Sequence, residues 1–114
     1  MTRVLVCGGR DFEDRGLLEW ALEPFDSDST TIIHGAARGA DHMAGVWASK
    51  KGIPVERYPA DWQKHGKAAG PIRNQQMLDE GDPDVVLAFP GGNGTADMVR
   101  RARSAGIEII EVSP

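Results

Sequence analysis

The chain reads as short apolar runs set between glycine turns and stretches in which apolar residues return every three or four positions. The runs Arg3 to Val6, Thr30 to His34, Val55 to Tyr58, Val85 to Phe89 and Ile107 to Val112 predict five strands. Between them, Leu17, Leu18, Ala21 and Leu22 share one face of a helix from about Glu13 to Leu22, with Asp11 as its expected N-cap. Met43, Ala44, Trp47 and Ala48 do the same from about Asp41 to Lys51, and Gly52 ends that helix. After an irregular stretch from Pro59 to Gly70, Pro71 opens a third helix that carries Ile72, Met77 and Leu78 and stops near Gly81-Asp82-Pro83. A fourth spans about Thr95 to Ala105, with Thr95 as its cap. Trp20 and Trp47 fall within helices and are assigned to packing.

Strands that alternate with helices pair in parallel through right-handed crossovers. The expected fold is therefore α/β: a Rossmann-like three-layer sandwich around a five-stranded parallel sheet in the order 3-2-1-4-5. The unbroken apolar run Val85 to Phe89 suits a central strand covered on both faces, and the imperfect alternation of Ile107 to Val112 suits an edge. Residues 1–114 fit a single domain, with no linker dividing them.

In that order the strand sequence reverses between strands one and four, and open α/β sheets bind ligands at such a point. Three glycine turns follow strands there: Cys7-Gly8-Gly9-Arg10-Asp11, His34-Gly35-Ala36-Ala37-Arg38-Gly39-Ala40-Asp41 and Pro90-Gly91-Gly92-Asn93-Gly94-Thr95. A turn from strand into helix presents free backbone N–H groups at the positive end of a helix dipole, where anions bind. The candidate ligand contacts are Gly8, Gly9, Arg10, Gly35, Arg38, Asp41, Arg73, Asn74, Gly91, Gly92, Gly94 and Thr95. Arg10, Arg38 and Arg73 supply guanidinium forks for phosphate or carboxylate. Asp41 serves either a ribose hydroxyl or the N-terminus of the second helix, and Trp62 is the ring placed to stack on a base.

Composition narrows the ligand class. A formal net charge of -4 argues against a surface for long nucleic acid, whose binding depends on neutralising phosphates. No apolar run is long enough to cross a bilayer, so no membrane partner is expected. The single cysteine, Cys7, permits no internal disulfide and fits a reducing cytoplasm; a buried small residue is the expected role for it. His34, His42 and His65 lack metal-ligand spacing, and neither G-x-G-x-x-G nor G-x-x-x-x-G-K-[ST] occurs, so no metal and no cofactor is expected. A nucleotide-type small molecule is the expected partner.

Taken together, Gly8-Gly9-Arg10-Asp11-Phe12, Gly35 to Asp41 and Pro90 to Met98 resemble the SLOG superfamily, which unites the DNA-processing Smf/DprA proteins with the LOG enzymes. The resemblance runs over nearly the whole chain and is nearest to the YspA/YpsA-related branch of small domains. It implies a Rossmann-like domain for nucleotides, nucleotide sugars or ADP-ribose-like molecules, and a homodimer or higher oligomer in which a neighbour closes the site. LOG enzymes hydrolyse the N-glycosidic bond of a nucleoside monophosphate and carry R-x-x-x-M followed by P-G-G-x-G-T-x-x-E. Arg73 to Met77 and Pro90 to Thr95 match, but Met98 stands where the glutamate belongs, with Asp97 one residue earlier and turned by about 100° on a helix. A phosphoribohydrolase reading thus rests on Arg73 and Asp97 as catalytic residues, and binding or sensing of a nucleotide derivative needs neither. A third reading is a single-stranded DNA-binding module, from the likeness of Gly35 to His42 to the DNA-processing proteins.

Overall fold

Apolar residues at successive strand positions imply a sheet covered on both sides, and β1 (Thr2–Cys7) shows how this works. Val4 and Val6 point into one core with Ile32, Val85, Leu87 and Phe89, while Leu5 and Cys7 point into another with Ile33, Val86 and Ala88. Side chains alternate faces along a strand, so a strand with two covered faces favours apolar residues at successive positions. Each such buried aliphatic or aromatic side chain contributes roughly 1.5–3 kcal/mol.

The structure is a computed structural model that describes residues 1–114. β1, β2 (Thr30–His34), β3 (Val55–Arg57), β4 (Val85–Ala88) and β5 (Glu108–Glu111) form one sheet in the order β3-β2-β1-β4-β5, with every neighbouring pair parallel. This is the Rossmann-like α/β arrangement, and the strand order, that the sequence pattern predicts. The helices are α1 (Arg15–Leu22), α2 (Ala40–Lys51), α3 (Trp62–His65), α4 (Ala69–Gly81) and α5 (Asn93–Ser104). Leu18 and Leu22 of α1 and Ala44, Trp47 and Ala48 of α2 cover the first core. Met77 and Leu78 of α4 and Met98, Val99 and Ala102 of α5 cover the second. No helix is long and apolar enough to cross a membrane.

Several local expectations are corrected. Asp14, not Asp11, caps α1: its carboxylate accepts from Leu17 N–H at 3.0 Å, and the helix begins at Arg15. An isolated turn of that geometry needs the acceptor immediately before the first helical residue, which Asp11 is not. Asp14→Ala is expected to cost about 1 kcal/mol, measurable as a lower urea midpoint with unchanged slope. Trp20 does not pack: it is 71% exposed, on the outer face of α1, whereas Trp47 is buried.

The stretch before Pro71 is not irregular throughout. Asp61 accepts from Lys64 N–H at 3.1 Å and caps α3, a 3-10 turn follows over Gly66–Ala68, and α4 begins at Ala69. Pro71 sits in the first turn of α4, where its missing N–H has no intrahelical partner to lose. Thr95 caps nothing, because α5 starts at Asn93 with Gly92 as its N-cap.

Candidate functional site

β1, β2 and β4 deliver their three glycine turns to one edge of the sheet, where the turns lock together. Gly9 N–H donates to the Pro90 carbonyl at 2.9 Å, joining the first turn to the third. The Gly9 carbonyl accepts from Phe12 N–H at 3.2 Å and from Ala40 N–H at 3.4 Å, joining the first turn to the second. Gly39, at φ 76°, lies directly against that carbonyl, with no room for a side chain. The Phe12 ring, 5.2 Å from Phe89, anchors the first turn to the core beneath.

A cleft of about 510 Å³ opens beside this junction, within the range of small-molecule sites. It lies between β1 and β4, the point at which the strand order reverses. Gly8, Gly9 and Arg10 form one wall, Gly92, Asn93, Gly94 and Thr95 a second, and Trp62, Arg73 and Asn74 a third. No protein acceptor meets the backbone N–H of Gly8, Gly92, Gly94 or Thr95. Those of Gly94 and Thr95 belong to the first turn of α5, which carries the positive end of its dipole.

The second turn differs from the expectation that all three present free amides. Asp41 Oδ2 accepts from Gly35 N–H at 3.0 Å and Ala37 N–H at 3.3 Å, and His34 Nδ1 accepts from Ala36 N–H at 2.9 Å. Asp41 therefore neither caps α2, whose N-cap is Gly39, nor offers that oxygen to a sugar hydroxyl. It shapes the loop from within. Burial raises its pKa to about 6 against the pull of the Ala37 amide, Arg73 and the Gly35 amide.

Positive charge concentrates at the cleft. The Arg73 guanidinium rests on Gly35, donating from Nη1 to the Gly35 carbonyl and from Nε to Asn74 Oδ1 at 3.1 Å. Burial lowers its proton affinity; the charge of Asp41 works the other way, and Arg10 adds to the fall. Arg73 nevertheless keeps its charge, since guanidinium does not deprotonate in proteins. The Arg10 guanidinium stacks on the half-exposed Trp62 ring at 5.5 Å from its centroid. Arg10 and Arg73 thus line one cleft with Lys67, and of the two carboxylates there Asp41 is turned toward backbone amides.

Asp97 lines the cleft but is fully engaged. Burial pushes its pKa up, yet the hydrogen bonds from Arg101 at 2.8 Å and Asn74 at 3.0 Å, and the charges of Arg101 and Arg100, outweigh this and hold it below the usual carboxylate range. Arg100 donates to its other oxygen at 2.9 Å. Asn74 also donates to the Gly94 carbonyl at 3.2 Å, so one amide ties α4 to the first turn of α5. Met98, at the position of the glutamate in the LOG motif, is wholly buried in the core between α4, α5 and the sheet. Cys7 also borders the cleft, and burial raises its thiol pKa to about 12, which leaves it protonated and unreactive.

Of the residues singled out in the sequence, Gly8, Gly9, Arg10, Asp41, Arg73, Asn74, Gly92, Gly94, Thr95 and Asp97 line this one cleft. Gly35 and Arg38 line an adjoining hollow that shares Arg10, Trp62 and Arg73 with it. Gly91 lines a neighbouring groove against β5, which shares Gly92 and Thr95 with the cleft. Lys67 had no sequence signal; it reaches the cleft because the 3-10 turn after α3 folds back toward α4.

The sequence profile of the YspA, cpYpsA-related SLOG family matches residues 2–65. The Gene 61 protein of Mycobacterium phage D29 is 42% identical over 123 aligned residues, which span 96% of this chain and 95% of that protein. Among solved structures, the structural-genomics target TM1055 superposes with a TM-score of 0.77 at 17% identity, covering 96% of this chain and 72% of its own. Acinetobacter baumannii MurG shares the fold more loosely, with a TM-score of 0.56 at 13% identity over 97% of this chain and 34% of its own. The family match covers the first two glycine turns and the strands that carry them, and on it, together with the near full-length phage relative, the chain belongs to the YspA, cpYpsA-related SLOG family.

Proposed function

We propose that the cleft binds the phosphate-bearing part of a nucleotide or nucleotide-derived molecule, of the size of AMP or ADP-ribose. One observation carries the reading: at the β1/β4 switch point, backbone N–H groups without protein acceptors face the same space as Arg10 and Arg73. Free amides at a helix start and converging guanidinium groups share one favourable occupant, an anion with several acceptor oxygens. Trp62, about half exposed beside the Arg10 guanidinium, offers a face for a base. Family membership and the Rossmann-like fold support a nucleotide- or sugar-related ligand.

Binding fits the geometry better than hydrolysis. Cleaving an N-glycosidic bond builds positive charge on the sugar, which a carboxylate must stabilise or relieve by activating water. Asp97 has donors from three side chains on its two oxygens, and the family-motif glutamate position is occupied by a core methionine. Calorimetry with AMP, ADP-ribose and cyclic nucleotides is expected to show saturable heat for at least one, with no free base released on incubation. Heat from none of them overturns the reading; base release abolished by Asp97→Asn replaces binding with turnover.

A further inference from the structure

Across the Ala36-Ala37 turn from the cleft, a groove of about 430 Å³ runs between α2 and β3. Its ionisable lining is His34, His42, Lys50 and Arg57, with the Ser49 hydroxyl, and no carboxylate lines it. In a chain with a formal net charge of -4, so one-sided a lining is a local reversal of sign.

The buried member is the informative one. His34 is 4% exposed, and because Nδ1 accepts from Ala36 N–H at 2.9 Å, the neutral ring carries its proton on Nε2. Burial, then the charges of Arg57, His42 and Arg73, lower its pKa to about 4, so the neutral form holds at ordinary pH. No protein acceptor meets the Nε2–H, and since no buried side-chain nitrogen or oxygen lacks a partner, this nitrogen is the edge of the ring that opens to the groove. It faces Gly45, where a Cβ would stand 2.9 Å away, so glycine at that helical position leaves the N–H edge open to the groove.

We propose that this groove is a second anion site that takes a phosphoryl group, with His34 Nε2–H and the Ser49 hydroxyl as neutral donors and Lys50 and Arg57 supplying charge. Donors on both walls suit a tetrahedral anion with several acceptor oxygens better than a planar carboxylate. The site stands apart from the cleft reading, since it shares only the Ala36-Ala37 turn with the cleft and its neighbouring hollow. That turn links the two: His34 holds the Ala36 amide and Asp41 those of Gly35 and Ala37, so an anion on His34 touches the loop on which Arg73 rests.

The test is nitrogen NMR of the histidine side chains in the full chain, titrated with inorganic phosphate at constant ionic strength. The His34 Nε2 signal is expected to move saturably, and the exposed double variant Lys50→Gln, Arg57→Gln to raise the half-saturation concentration about tenfold or more. Gly45→Ala, which fills the space at Nε2, is expected to abolish the shift; if it does not fold, the double variant decides. Arg73→Ala, which disables the cleft, is expected to leave the phosphate response in place. A response that never saturates, or that the double variant does not weaken, overturns the proposal. AMP distinguishes the source of the anion: an AMP response at His34 that disappears in Arg73→Ala assigns the phosphate to a nucleotide seated in the cleft, and a response to inorganic phosphate alone assigns it to the free ion.

Discussion

Gly39→Ala is expected to destabilise the fold by at least about 3 kcal/mol, a large share of the 5–15 kcal/mol typical of a domain. Gly39 adopts φ 76° and ψ -127°, a region essentially closed to residues with a Cβ, and strain of that kind costs of order 1–3 kcal/mol alone. The added methyl also meets the Gly9 carbonyl oxygen and the Arg10 backbone, whose carbonyl carbon lies 2.8 Å from the Cβ position. Neither neighbour is a flexible side-chain end, and the Gly9 carbonyl already accepts from Phe12 and Ala40. Gly52→Ala is the control. Gly52 has φ 71° and ψ 22°, a left-handed conformation that alanine tolerates for roughly 1–2 kcal/mol, and nothing lies within 4 Å of its Cβ position. Urea unfolding of both variants compares a glycine with both close approach and a disallowed ψ against one with a left-handed backbone alone. Equal losses would show that the junction of the turns is not sterically tight.

Arg73→Ala is expected to weaken binding of the cleft ligand roughly 100-fold or more, as loss of a partly buried, charge-assisted contact does. The half-buried guanidinium is fixed by two acceptors on the protein, the Gly35 carbonyl and Asn74 Oδ1, so it meets a ligand without first being ordered. Arg73→Lys restores the charge but not the fork, and an ammonium cannot hold both acceptors while facing the cleft, so only part of the affinity should return. Calorimetry on the three proteins, each checked for an unchanged urea midpoint, reads this directly. Full recovery in Arg73→Lys would reduce the residue to a point charge, and undiminished affinity in Arg73→Ala would make its role purely structural.

What the amino-acid string revealed follows from the range of the forces involved. The central strand was legible because both faces of Val85 to Ala88 are covered, the others as short apolar or β-branched runs between turn residues, and the alternation of α and β elements then allowed few strand orders. The glycine turns were legible as turns. Which of their amides remained open was not, because the acceptors that occupy the second turn, Asp41 and His34, act through distances set only in three dimensions. Trp20 was misread although the spacing placed it outside: two residues on from Leu18, it stands about 200° round the helix from the buried face. The helix at Trp62–His65 had a local signal in Asp61, three residues before Lys64, which the nearby glycines and prolines outweighed.

Three segments far apart along the chain meet at one residue, Gly9, whose carbonyl accepts from Ala40 N–H and whose N–H donates to the Pro90 carbonyl, and this confines where the site can change. A shift in any one of the three is passed to the others, so the rim of the cleft moves as a block or not at all. The segment around Trp62 and Lys67 borders the same space without belonging to that knot. A change of length or composition in this segment therefore leaves the hydrogen bonds that join the three turns in place.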